Sequence, residues 1–211
     1  MPLTTRQLGL VLAGILLTGS MLMLVPLVTT GLGPLAGYVC VLTIYWVCFC
    51  IPVATFFGRG PKRVAVRLIA TPRWIPVMAF AIPVIVLLAA NPADWIGLER
   101  AILALAILCA LVNGPLEEFA WRRSFRANAN GGLSFELLGL GLLTLWHVPL
   151  YFSQGITFDY GAVGLVGGAF VMGAFWTKMT CAGNSIGWPI VSHLLVNLVA
   201  FPQLFARNFV S

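Results

Sequence analysis

An all-α bundle of membrane-spanning helices is the architecture the sequence predicts, on three observations. Hydrophobic residues fill 60% of the 211 positions and charged residues only 9%, against roughly 45–50% apolar in ordinary soluble domains. From Gln7 to Gly58 there is no charged residue at all. The apolar residues also fall in about seven runs, each near the ~20 residues with which a helix crosses a ~30 Å hydrocarbon core. A soluble chain of this length could not cover its surface with so few polar groups, so a polytopic integral membrane protein follows.

The first run, Leu8 to Val28, has 21 residues. That exceeds the apolar part of a usual signal peptide, and no small-x-small cleavage site follows, so it is expected to remain as a first span. An uncharged turn from Thr29 to Pro34 leads into the second run, Pro34 to Phe57. A basic segment comes next, with Arg59, Lys62, Arg63, Arg67 and Arg73. Within it Val64, Ala65, Leu68 and Ile69 recur at helical spacing, which predicts a short amphipathic helix lying in the interface. Trp74 to Ala90 is the third run, interrupted by Pro76 and Pro83 and followed by a turn holding Asp94.

The fourth run begins near Glu99 and passes through Leu116 into Glu117-Glu118-Phe119-Ala120-Trp121-Arg122-Arg123-Ser124-Phe125-Arg126. Asn128 to Gly132 is a polar connection, and Leu137–Phe152, Gly161–Thr177 and Ser185–Phe205 complete the set. Gly161, Gly164, Gly167, Gly168 and Gly173 in the sixth run read as sites of close helix packing. Residues 1–98 are therefore expected to form N-terminal spans with a basic segment, and residues 99–211 a core of four helices. Together they make one integral membrane domain.

A net charge of +6 does not point to nucleic acid, because the basic residues lie in short clusters between apolar runs rather than in one aromatic-laced patch. That is how membrane topology is written. With the N-terminus in the cytoplasm, ten of the twelve basic residues fall on the cytoplasmic side and only Arg100 and Arg207 outside. The five cysteines (Cys40, Cys48, Cys50, Cys109 and Cys181) sit mostly inside apolar runs. Cys48 and Cys50 lack a second Cys/His pair to complete a metal site.

The span arithmetic gives the carboxylates their place. Ala101 to Leu116 is uncharged, about 24 Å of helix, so Glu117 and Glu118 lie inside the membrane edge rather than in open water. Ionisable groups at that depth are costly and are functional candidates by default. Glu118 and Arg122 are spaced i,i+4 with the acid first, the favourable order for an ion pair. Glu117 points about 100° away, free of a local partner and available as a general base. Asn113-Gly114-Pro115 is expected to break or kink the helix just before it and leave room for water or a substrate backbone. The bland alternative is that both acids pair with the arginines and anchor a helix end.

The two histidines weigh against that alternative. His147 and His193 are the only ones in the chain, and both lie within apolar runs. On the basic side they sit roughly 15 Å and 9 Å deep. Asn197 is i,i+4 from His193 and shares its face. The pattern Glu117-Glu118-x-x-x-Arg122, then a histidine in the next run, then His193-x-x-x-Asn197, resembles the CPBP intramembrane proteases, the CAAX-prenyl-protease and bacteriocin-processing (Abi) family. The likeness covers about residues 99–206. One departure is visible: where the family usually has Phe-x-x-x-His, this chain reads Leu143-Thr144-Leu145-Trp146-His147, a packing change that reshapes a pocket.

The resemblance implies a function and a site. Glu117, with His147, would polarise a water for attack on a peptide carbonyl, and His193 and Asn197 would stabilise the oxyanion. Glu118 and Arg122 would support them. Zn2+ is a candidate cofactor, with Glu117, His147 and His193 supplying three ligands and leaving the fourth position open. The His-Glu-x-x-His helix of ordinary zinc proteases is absent, so a metal-free glutamate mechanism stands beside it. Substrates would be membrane-associated peptides or proteins reached from the cytoplasmic side, in a bacterial plasma membrane.

Other classes fit less well. A rhomboid-like serine protease needs Gly-x-Ser-Gly, and Gly183-Asn184-Ser185 runs on into Ile186. A presenilin-like enzyme needs two intramembrane aspartates, whereas Asp94 and Asp159 fall in turns. A transporter would be expected to repeat the site in its first spans, which carry no ionisable residue. The remaining alternative is a non-catalytic membrane binding or bacteriocin-immunity protein that keeps the same polar core.

Overall fold

A computed structural model of the chain describes residues 2–69, 71–130 and 133–209. Seven helices account for most of them: α1 (Thr5–Leu32), α2 (Pro34–Phe57), α3 (Trp74–Ala89), α4 (Arg100–Asn128), α5 (Ser134–Tyr151), α6 (Val163–Gly183) and α7 (Gly187–Phe209). The all-α polytopic bundle expected from composition is what forms, and among the described residues there is no strand. Five of the helices (α1, α2, α4, α6 and α7) are long and apolar enough to cross a membrane. The other two fall short for different reasons. α3 has only 16 residues, and α5 is diluted by Glu136, Trp146, His147 and Pro149.

The chain reverses at each connection, so the helix ends gather in two sets. At the end carrying the basic segments, Thr4 and Gln7 form a capping box at the start of α1. Gln7 Nε2 donates to the Asn128 carbonyl at the end of α4, 2.9 Å away. Asn128 in turn donates to Phe57 and Ser124 carbonyls. At the opposite end Gln203 accepts from Asn91 N–H and Trp95 Nε1, and Asn208 pairs with both backbone groups of Thr157. Polar side chains thus tie off helix termini whose backbone groups have no partner within the helix. Of the polar connection at 128–132, Gly131 and Gly132 lie outside the described residues.

Three local expectations are corrected. The basic segment is not an amphipathic helix: Ala65 N–H donates to the Asn184 carbonyl, and Ile186 N–H donates to the Ala65 carbonyl. Val64 is buried against Ala127 and Ile186. Gly58, Gly60 and Pro61 interrupt helical bonding, and the backbone finds its partners on the α6–α7 turn instead. Nor does α4 break at Asn113-Gly114-Pro115. The helix continues to Glu117 and then widens into a π-helical stretch, Glu118–Arg123, so the disturbance appears one turn later. Finally, of the five glycines of the sixth run only Gly173 serves close helix contact, since a Cβ there would meet Leu140 Cδ1 at 2.7 Å. Gly164 and Gly168 line a cavity.

The core is an aromatic stack between α2, α4 and α5. Tyr45 lies on Trp146 with ring centroids 4.1 Å apart, and Phe49 packs on Trp121 at 4.8 Å. α7 packs along α4 on one side and α3 on the other, which places its polar face toward the carboxylates of α4.

Candidate active site

The polar side chains of three helices meet at one level. Glu117 ends the regular part of α4 and Glu118 opens its π-helical stretch, His147 lies in the last two turns of α5, and His193 and Asn197 lie one turn apart on α7. Glu117, His147, His193 and Asn197 all line a single cavity of about 490 Å3, together with Asn113, Leu143 and Trp176. Glu117, near the end of its run, and His147, well inside its own, reach the same space.

Glu118 has more partners than spacing suggested. Arg122 stands 3.3 Å from its Oε1, as the i,i+4 argument required. The guanidinium NH1 and NH2 nevertheless have no aligned hydrogen bond, so the pair is held by charge rather than by directed bonding. The same Oε1 accepts from His193 Nδ1 at 2.9 Å. Glu118 is fully buried, so it both neutralises Arg122 and orients the imidazole of His193. Trp176 stacks on that ring at 3.9 Å and also carries Arg122 over its face at 5.3 Å. The His193 ring is thereby set by one hydrogen bond and one stacking contact.

Glu117 is not without partners either. Its Oε1 accepts from the Tyr45 hydroxyl at 2.9 Å, while Oε2 stands 3.6 Å from His193 Nε2. That distance is too long for a direct hydrogen bond and is one at which a water set beside the pair can touch both. His147 Nδ1 lies 2.9 Å from the Leu143 carbonyl. A carbonyl only accepts, so Nδ1 carries the proton and Nε2 keeps its lone pair. Leu143, the departure from the usual phenylalanine, both accepts this bond and lines the cavity. Asn197 Nδ2 is buried and has no hydrogen-bond partner.

The donor set of Glu117, His147 and His193 suits zinc chemically. Among the described residues no group of three or more His, Cys, Asp and Glu side chains is gathered so as to hold a metal ion. All five cysteines are free.

Sequence reasoning passed over four contributors: Tyr45, Trp46, Asn113 and Trp121. Trp46 Nε1 donates to Asn113 Oδ1 at 2.8 Å, and Trp121 Nε1 donates to the Tyr45 hydroxyl at 2.7 Å. A usable signal existed, because a buried Tyr or Trp carries a polar tip that needs a partner. The course of the cavity could not be read from the spans. Its lining runs from the polar cluster to Ala90, Asp159, Tyr160 and Gln203, at the bundle end opposite the basic segments. Among the described residues of 58–73 none lines it. Helix length alone placed the acids nearer the basic end, whereas the free space beside them lies between α3 and the glycine-bearing start of α6.

Residues 99–199 match the family model for type II CAAX prenyl endopeptidases, Rce1-like. Over that stretch the chain is similar to the Rce1-like family. The matched stretch is nearly half of the chain and includes every candidate from Glu117 to Asn197, whereas Tyr45 and Trp46 lie outside it. No curated protein and no solved structure matches the chain. The likeness, together with a helical, largely apolar bundle, supports a membrane-embedded protease of the CAAX type in general.

Proposed function

We propose that this protein hydrolyses peptide bonds of membrane-associated peptides by a glutamate- and histidine-activated water. The observation that carries the reading is the convergence of Glu117, His147, His193 and Asn197 on one cavity. Water occupies the space beside Glu117 Oε2 and His193 Nε2. Glu117 takes a proton from it as the oxygen attacks the peptide carbonyl, and later returns that proton to the leaving amine. His147 Nε2, with its lone pair held ready by the Leu143 bond, accepts a hydrogen bond from the same water. Asn197 Nδ2, a donor without a partner, donates to the developing oxyanion, and His193 joins it as the imidazolium, whose Nε2 then carries a proton. No step passes through a metal, because the three possible ligands are not gathered around one point.

The cavity walls are mostly apolar, which suits a substrate with a lipid-like or apolar segment near the scissile bond. The charge count supports a cytoplasmic N-terminus and a cytoplasmic basic end. On that orientation the mouth of the cavity faces the other side of the bilayer.

The test is cleavage of a fluorogenic S-prenylated CAAX peptide by protein reconstituted in vesicles. Glu117→Gln and His193→Ala are each expected to slow turnover by at least about 100-fold, the scale of general-base and oxyanion losses. Variants that both cleave at the parental rate would overturn the assignment.

A further inference from the structure

Glu117 is gripped from a helix that lies outside the family-matched segment. α2 contributes Tyr45, whose hydroxyl is 2.9 Å from Glu117 Oε1, and Trp121 Nε1 is 2.7 Å from that hydroxyl. An indole N–H can only donate, and a carboxylate only accepts. The direction of the chain is therefore fixed: Trp121 donates to Tyr45, and Tyr45 donates to Glu117. Tyr45 is fully buried and Trp121 nearly so, and Tyr45 is clamped between Trp146 and Phe49 by stacking. Held there, the hydroxyl has Glu117 Oε1 within hydrogen-bond reach as a charged acceptor.

The local backbone is unusual at both partners. Tyr45 immediately precedes a π-helical turn, Trp46–Cys50, and Glu117 immediately precedes the π-helical stretch Glu118–Arg123. Widened turns of this kind are frequent at functional sites because they re-aim side chains within a continuous helix. Here the two widened turns face each other. The next residue, Trp46, holds Asn113 Oδ1 one helical turn before Glu117, so α2 grips the site at two adjacent points.

We propose that Tyr45 is a positioning residue for the general base, and that α2 is a working part of the active site rather than a membrane anchor. By occupying Oε1, Tyr45 sets the carboxylate plane and leaves Oε2 facing His193 and the cavity. Trp121 acts only through Tyr45, by taking the hydroxyl's acceptor side so that its proton goes to Glu117. This rests on Glu117 being the base.

The test compares parent, Tyr45→Phe, Trp121→Phe and the double variant, in reconstituted vesicles with the same prenylated peptide. Rates are normalised to folded protein measured by size exclusion. Tyr45→Phe keeps both stacking contacts and loses only the hydroxyl. It is expected to lower kcat about 10- to 100-fold, the range seen when a supporting hydrogen bond is removed from a functional side chain, with KM within about twofold. Trp121→Phe is expected to lower kcat less, and the double variant to be no worse than Tyr45→Phe alone, the non-additivity of one connected network. A merely structural role would instead give independent, multiplying losses or a change confined to folded yield. If Glu117→Gln abolishes cleavage while Tyr45→Phe keeps the parental kcat, the positioning role falls and the proposed mechanism stands. If Glu117→Gln itself cleaves normally, both fall together.

Discussion

Asn197 shows most directly what single residues are asked to do. The residue is 7% exposed and its Nδ2 has no partner. A buried donor left unpaired costs about 1–3 kcal/mol, so on stability grounds alone an apolar residue of similar size would be preferred there. Asn197→Leu is therefore expected to leave thermal unfolding in detergent unchanged or slightly raised. The same variant should lose about 100-fold or more in kcat, as removal of an oxyanion donor does elsewhere. Unfolding and turnover measured on one preparation check this, and a parallel fall in both would mark Asn197 as a structural residue. Glu118 contrasts with it: fully buried, it serves Arg122 and His193 at once. At this scale the pairing of Glu118 with Arg122 was legible, because i,i+4 geometry is intrinsic to a helix. The bonds from Glu118 to His193 and from Tyr45 to Glu117 were not, since they join residues 75 and 72 positions apart and depend on how helices pack.

Helices α4 and α7 form the frame that brings these groups together, and their closeness rests on Gly114. A Cβ at that position would stand 3.1 Å from Leu194 N and 3.3 Å from His193 C. The neighbour is the backbone of α7, which cannot rotate out of the way. Gly114→Ala gains about 1 kcal/mol of helix propensity and loses about 1–3 kcal/mol to overpacking, so net stability should shift only slightly. The displacement, however, falls on the residue that carries the imidazole. A fall in kcat of tenfold to about 100-fold is expected, since misplacement by about 1 Å can cost that much. Kinetics and unfolding of the purified variant decide the point, and a variant with parental kcat would show that α7 yields without moving His193. The sequence reading treated Gly114 as part of a helix breaker. It missed this use because a glycine needed for interhelical approach looks the same in one dimension as a glycine that ends a helix. The basic strap misled for a similar reason: its apolar residues had helical spacing, but their partners lay on the α6–α7 turn.

For the whole molecule, what matters most for function is which way the site faces. The number of helices, their alternating direction and the separation of basic from acidic turns were all legible, because each follows from runs of apolar residues and the charges between them. The course of the cavity was not, since it depends on where α3 and α6 leave space. That space leads to Tyr160 and Gln203, while the basic residues gather at the other end. Tyr160 is 80% exposed at the cavity rim, and Arg63 is exposed on the strap. With Cys40, Cys48 and Cys181 replaced by alanine, single cysteines at these two positions should label with a membrane-impermeant maleimide from opposite faces of sealed vesicles. A bulky adduct at Tyr160→Cys is expected to slow cleavage of the prenylated peptide, and the same adduct at Arg63→Cys to leave it unchanged. The reverse result would place the entrance at the basic end and require α3 and the strap to move apart for substrate to reach Glu117. Since the strap is tied to Asn184, Ser185 and Ile186 by backbone and hydroxyl bonds, that movement would break several hydrogen bonds together. The mouth beside Tyr160 needs none of them broken.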